Sequence, residues 1–222
     1  MNLTLFDLDG TLIPVDSDHS FGTFMVDVGW ADAEVWGARN DHFFAQYNAG
    51  TLDLPAYVQF ATSAWRNRPL AEAHAMRERF MAEVGKPALR PEAQALVEKH
   101  RAAGDLIALV TATNEFVTMP FAEAFGIEHL IAVQLERDAD GRYTGAVKGV
   151  PSFKEGKIAR VEGWLHSLGA QWREFGRVTF YSDSTNDIPL LERVSHPVAT
   201  NPSPTLATIA AERGWPQLQL FA

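Results

Sequence analysis

Two aspartates, Asp7 and Asp9, stand two positions apart behind a short apolar run, and Gly10 follows them. On an extended chain that spacing puts both carboxylates on one face, and a glycine there permits a sharp exit. A second acidic pair, Asp183 and Asp187, follows the run Val178–Tyr181 in the string Tyr181-Ser182-Asp183-Ser184-Thr185-Asn186-Asp187. Ligands of open parallel sheets bind outside the carboxyl ends of the strands. Four carboxylates brought to one sheet end repel one another, and a hard divalent cation with oxygen ligands, Mg2+, relieves that repulsion. Taken singly, these residue types also serve as helix caps and turns. Two pairs at two strand ends point instead to a cation site.

Such pairs need a sheet to position them. Residues 3–8, Leu106–Val110, Val178–Tyr181 and Pro197–Thr200 are near-continuously apolar, as strands buried on both faces should be. Helical spacing is predicted over 91–103, 115–125 and 157–168, stopped by Gly104, Gly126 and Gly169. Alternating strands and helices imply an α/β fold, a doubly wound Rossmann-like parallel sheet with helices on both faces. Residues 130–150 read as a strand leading into a hairpin around Asp140-Gly141. The larger interruption carries four predicted helices, 18–28, 31–48, 54–66 and 69–84, with Gly29, Gly50 and Gly85 as stops. Residues 21–65 hold 10 of the 24 aromatic residues, which predicts a small separate core. The expected organisation is a catalytic core of residues 1–14 and 86–222, with a helical cap of residues 15–85 inserted after the first strand.

Asp7-Leu8-Asp9-Gly10-Thr11 resembles the first motif, DxDGT, of the haloacid dehalogenase superfamily. Thr111 resembles the second motif, a Ser or Thr closing a strand, and Lys157 resembles the third, a basic residue at a helix start. Asp183 and Asp187 resemble the acidic fourth motif, and all four occur in the family's order. The insertion is similar to that of the helical-cap subclass. The string Tyr181–Glu192, followed by His196-Pro197-Val198-Ala199, resembles the phosphoserine-phosphatase-like IB branch. The resemblance covers the chain outside the cap, and the cap only in position and helicity. It implies a Mg2+-dependent phosphomonoesterase working through an aspartyl phosphate.

In that scheme Asp7 is the nucleophile. Asp9 is the acid for the leaving alcohol and then the base for water, so it must hold a proton near neutral pH. Lys157 neutralises the phosphoryl group and orients Asp7; Lys154, three residues earlier, is the alternative. Thr111 and the amides of Ala112 and Thr113 hold phosphate oxygens where a strand gives way to a helix. Phosphoserine phosphatases usually have Ser-Gly-Gly there, where this chain has Thr-Ala-Thr. The metal ligands implied are Asp7, Asp9 through its backbone carbonyl, Asp183, and Asp187 directly or through water. Asp16, nine positions after Asp7, matches a glutamate that meets the substrate ammonium, which implies an amino-acid or amino-alcohol phosphate such as phosphoserine or histidinol phosphate. The bland alternative there is a helix N-cap at Ser17 or Asp18. Arg39, Arg66 and Arg68 read as surface residues.

Composition excludes other classes. With 28 acidic against 19 basic residues, a formal charge of −9 argues against a nucleic-acid partner. The longest apolar stretches fall far short of the roughly 20 residues that span a bilayer, and a cytoplasmic location is expected. Zero cysteine removes disulfides and thiolate chemistry, so a covalent intermediate must sit on another nucleophile. A receiver-like phospho-acceptor module fits the Asp, Thr and Lys but has neither a cap nor a second acid two residues on. A non-catalytic binding protein would have no need of Asp9. The expected partner is a small phosphomonoester, and the oligomeric state is left open.

Overall fold

The computed structural model describes residues 1–221. Strands β1 (Leu3–Phe6), β2 (Leu106–Asn114), β3 (His129–Val133), β6 (Val178–Ser182), β7 (His196–Thr200) and β8 (Gln217–Leu218) form one sheet. Their order is β3-β2-β1-β6-β7-β8, and every neighbouring pair is parallel. Between β3 and β6 a separate antiparallel hairpin, β4 (Leu135–Arg137) and β5 (Tyr143–Val147), turns at Asp140-Gly141. The chain winds outward from β1 through β2 to β3, then returns to β6 on the other side of β1. The winding reverses between β1 and β6, where an open sheet leaves its ligand crevice. Asp7 and Asp183 follow those two strands.

Successive residues turn to opposite faces of the sheet. Phe6 and Leu109 pack against α6 (Pro91–Ala102) and α7 (Glu115–Ala124). Leu3, Leu5 and Val110 pack against α8 (Glu155–Ser167), α9 (Ile188–Arg193) and α10 (Pro204–Arg213). Ahead of α6 lie α1 (Ser17–Asp27), α2 (Ala33–Asn48), α3 (Leu54–Thr62), α4 (Leu70–Phe80) and the short α5 (Lys86–Ala88). This helical segment is called the cap below.

Four expectations need correction. The first strand stops at Phe6, because the Leu8 carbonyl collects the amides of Thr11, Leu12 and Ile13 at 3.2, 2.8 and 3.1 Å and curls the chain. The second runs on to Asn114, with a register shift against β3 between Val110 and Asn114. Gly85 is no helix stop: it lies in a widened π-turn, Met81–Gly85, that ends two residues before Pro87. Proline lacks the amide and crowds the carbonyl four residues back, which a widened turn relieves. Nor are the cap aromatics a separate core. Phe21, Phe24 and Trp65 join one apolar cluster with Phe6, Phe116 and Phe121, Trp65 stacking on Phe116 at 4.0 Å. Among the described buried residues Trp36, Phe43 and Phe60 form a smaller patch of their own.

Candidate active site

Lys157, in the first turn of α8, is 1% exposed. Its Nζ donates to Asp7 Oδ1 at 2.9 Å and to Asp187 Oδ2 at 2.7 Å. Burial pulls an ammonium toward neutrality, but Asp187 and then Asp7 outweigh it and hold Lys157 above its ordinary value. Lys154 goes elsewhere, donating to the Gly50 carbonyl of the cap at 2.8 Å. The geometry therefore brings Lys157, and not Lys154, to the two aspartates. Asp187, expected among the metal ligands, has both carboxylate oxygens at the lysine, 2.7 Å from Nζ, and accepts a further bond from Ser182 Oγ at 2.8 Å. It is a counter-charge to Lys157, as Asp7 is.

Asp7 is buried beside them. Burial raises its carboxyl, Lys157 draws it back, and Asp187 and Asp9 push again, leaving it at about 7. Asp183 accepts from Thr11 Oγ1 at 3.1 Å, and the same hydroxyl accepts from the Asp183 amide at 3.0 Å. Burial, then Asp7 and Asp187, raise Asp183 well above the usual carboxylate range. Gly10 has a φ of +70°, and a Cβ on it would run into the Asp183 carboxylate; only glycine suits that turn. Three carboxylates around one ammonium leave negative charge that protons or a cation must neutralise. Among the described residues no three His, Cys, Asp or Glu side chains stand ready to hold a metal. The carboxylates gathered here, Asp7, Asp183 and Asp187, are oxygen donors that suit a hard cation.

Asp9 ties the core to the cap. One oxygen accepts from the Ser17 amide at 2.7 Å, the other from Thr113 Oγ1 at 2.9 Å. Its side chain is thus committed away from a metal. Burial raises it first, Asp16 adds, and the bonds from Ser17 and Thr113 restrain it, to about 7. The segment Thr111-Ala112-Thr113 stands where a strand gives way to a helix. It lies within β2, and the N-cap of α7 is Asn114, whose side chain accepts from Val117. The Thr113 amide is directed at Thr111 Oγ1, 3.1 Å away.

Ala112 and Thr113 line a cavity of about 30 Å³, with Asp9, Asp16, Asp18 and Tyr47 among its other walls. Asp16 is itself the N-cap of α1, accepting from the His19 amide at 2.7 Å, and burial holds it at about 6. Asp18 escaped the sequence reading as a site residue. It is buried, accepts from Asn114 Nδ2 at 3.2 Å, and burial raises it to about 7 while a bond from Tyr57 restrains it. The signal was there: Asp16 and Asp18 repeat the spacing of Asp7 and Asp9. Among the described residues neither lysine nor arginine lines this cavity. Arg39 lies over Phe60 at 4.6 Å, Arg68 over Trp30 at 4.1 Å, and Arg66 donates to the Gln59 carbonyl.

Comparison with known proteins agrees with the motifs. The family model for haloacid dehalogenase-like hydrolases matches residues 4–192, so the chain belongs to that family. A histidinol-phosphatase of Neisseria meningitidis is 44% identical over 220 residues, 98% of either chain. A Bordetella pertussis protein of unknown function, known from its crystal structure, is 48% identical, with 99% of both chains covered and a TM-score of 0.94. A substrate-bound phosphoserine phosphatase structure shares the fold at 17% identity, covering 98% of this chain and 92% of that one with a TM-score of 0.68. No helix among the described residues is long and apolar enough to cross a membrane.

Proposed function

We propose that the chain is a Mg2+-dependent phosphomonoesterase of the cytoplasm, acting on the phosphate ester of a small amino alcohol, with histidinol phosphate the first candidate. The observation that carries this reading is the cavity beside Asp9, walled by Asp16 and Asp18 and free of lysine and arginine among the described residues. A substrate amine is attracted there and a substrate carboxylate repelled, which separates histidinol phosphate from phosphoserine. The name of the Neisseria relative supports the same choice.

Asp7 attacks phosphorus, and the bond to the ester oxygen breaks as Asp9 supplies that oxygen with a proton. Asp9, now ionised, takes a proton from water as the water attacks the aspartyl phosphate, which releases phosphate and regenerates Asp7. Lys157 keeps Asp7 aimed while Asp187 anchors the lysine. Asp7 and Asp183, with the Asp9 carbonyl, would hold Mg2+, which when bound supplies positive charge for the phosphoryl oxygens. The test is phosphate release by the purified protein from histidinol phosphate, phosphoserine and p-nitrophenyl phosphate, with Mg2+ or with EDTA. Release that needs Mg2+, is lost in Asp7→Asn and favours histidinol phosphate over phosphoserine is expected. A preference for phosphoserine would overturn the substrate class, and full turnover by Asp7→Asn would overturn the mechanism.

A further inference from the structure

The turn that carries Asp7 and Asp9 is held from a strand that supplies no catalytic group. Asn201 follows β7 directly, at the carboxyl end of the sheet, and β6 lies between β7 and β1. Its side chain reaches past the end of β6 to the loop after β1. Nδ2 donates to the Gly10 carbonyl at 2.8 Å and to the Thr11 carbonyl at 3.2 Å. On the other side, Oδ1 accepts from the amides of Leu220 and Phe221 at 2.7 and 3.2 Å. Two carbonyls facing one end and two amides facing the other admit a single orientation of the carboxamide. Both of its donors and both of its acceptor positions are in use, so the group is saturated.

The backbone at this position is left-handed, with a φ of +45°. Asparagine enters that region at less cost than most residues. Glycine would enter it more cheaply still, but could make none of the four side-chain bonds. The bonds reach the site in one further step. The held carbonyls belong to the two peptide planes that flank Thr11, and Thr11 Oγ1 exchanges hydrogen bonds with the Asp183 carboxylate and amide. Two residues after Asn201, the Ser203 amide donates to the Asp183 carbonyl at 3.1 Å. The loop after β7 therefore ties together the loops after β1 and β6. The peptide bearing the Asp9 carbonyl is the next one back from the Gly10 carbonyl that Asn201 holds.

We propose that Asn201 is a positioning residue for the cation site: by holding the Gly10 and Thr11 carbonyls it sets Asp183 and the Asp9 carbonyl against Asp7. The proposal rests on the phosphomonoesterase reading above, in which those three groups hold Mg2+. Oxygen donors fixed in place before a cation arrives need no reorganisation to bind it, and loosening them lowers affinity. Groups that orient metal ligands without touching the metal typically count for about 10- to 100-fold in metal affinity or activity.

Two substitutions separate the loop from the tail. Asn201→Asp keeps the shape, the tolerance of positive φ and the acceptor for Leu220 and Phe221, and sets an oxygen against the two carbonyls that Nδ2 held. Asn201→Gly keeps the backbone conformation and deletes the whole group. The first readout is calorimetric titration of each full-length protein with Mg2+, which needs no turnover. Both variants are expected to bind Mg2+ about 10- to 100-fold more weakly than the wild type. Both should need correspondingly more Mg2+ for half-maximal phosphate release from p-nitrophenyl phosphate, with KM for the ester at saturating Mg2+ unchanged. An added negative charge by itself favours a cation, so weaker binding by Asn201→Asp reports lost geometry. Wild-type affinity in either variant overturns the proposal, including the case in which Asn201→Gly only lowers the melting midpoint, as a plain tail anchor would. Should Asn201→Asp not fold, Asn201→Gly decides on the same readouts. If the wild type turns over no ester, the phosphomonoesterase reading fails and the Mg2+ titrations still decide for Asn201. A wild type that binds no Mg2+ overturns both.

Discussion

Replacing Lys157 by methionine would separate the electrostatic role of the buried lysine from its packing. Methionine keeps most of the volume and deletes the ammonium that lies 2.9 Å from Asp7 and 2.7 Å from Asp187. Breaking a buried ion pair by removing one partner costs roughly 3–5 kcal/mol, because the other charge stays buried. In a chain of this length each 1 kcal/mol moves the thermal midpoint by roughly 2–4 °C, so a fall of about 6–20 °C is expected. The pH dependence is the sharper readout. Asp7 stands at about 7 against an ordinary value of 3.8, with Lys157 the largest influence lowering it. A carboxyl raised in the folded state weakens folding progressively as pH climbs from its unfolded to its folded value, and no further. In the wild type that penalty levels off near pH 7; without the lysine it keeps growing. Melting curves in EDTA at pH 5.5, 7 and 8.5 should therefore show a deficit that widens with pH. A deficit constant across that range would refute the electrostatic account.

Four further outcomes are expected. Asp9→Asn should lower kcat on histidinol phosphate by roughly 10²–10⁴-fold, and much less on p-nitrophenyl phosphate, whose leaving group departs without a proton; steady-state phosphate release measures both. With Asp9 at about 7, wild-type turnover of the alkyl ester should decline as pH rises above 7, because the acid must be protonated. Mg2+ should raise the melting midpoint more at pH 8.5 than at pH 5.5, since Asp7, at about 7, must lose its proton to bind it. Trp65→Ala should cost roughly 3–5 kcal/mol in urea unfolding, because this 2%-exposed ring fills the joint between cap and core.

What could be read from the sequence was what is written locally. The apolar runs announce the strands, and the strings around Asp7 and Asp183 announce the crevice between β1 and β6. The pairings inside the site depend on contacts across the chain. Lys157 and Asp7 lie 150 positions apart, and no spacing rule distinguishes Lys157 from Lys154 over that distance. A string of acids likewise does not disclose that a lysine lies between Asp7 and Asp187. Counting aromatics in the cap measured their density and missed their direction: Phe21 and Trp65 turn inward to Phe116. The bond from Asn186 to the Tyr47 carbonyl, across 139 positions, carried no sequence signal either.

The shared apolar interior of cap and body has an evolutionary consequence. A cap exchanged as a cassette would carry away Phe21, Phe24 and Trp65 and leave Phe116 facing a hole, so recombination at this boundary should be penalised. The island of Trp36, Phe43 and Phe60 is different. It supports the α2 wall of the proposed substrate cavity and meets the main interior through half-buried neighbours such as Ala31 and Tyr57, so drift there could retune which alcohol is accepted while the foundation stays in place. Substrate range in this lineage should therefore diversify by substitution on α2 and α3 rather than by swapping domains.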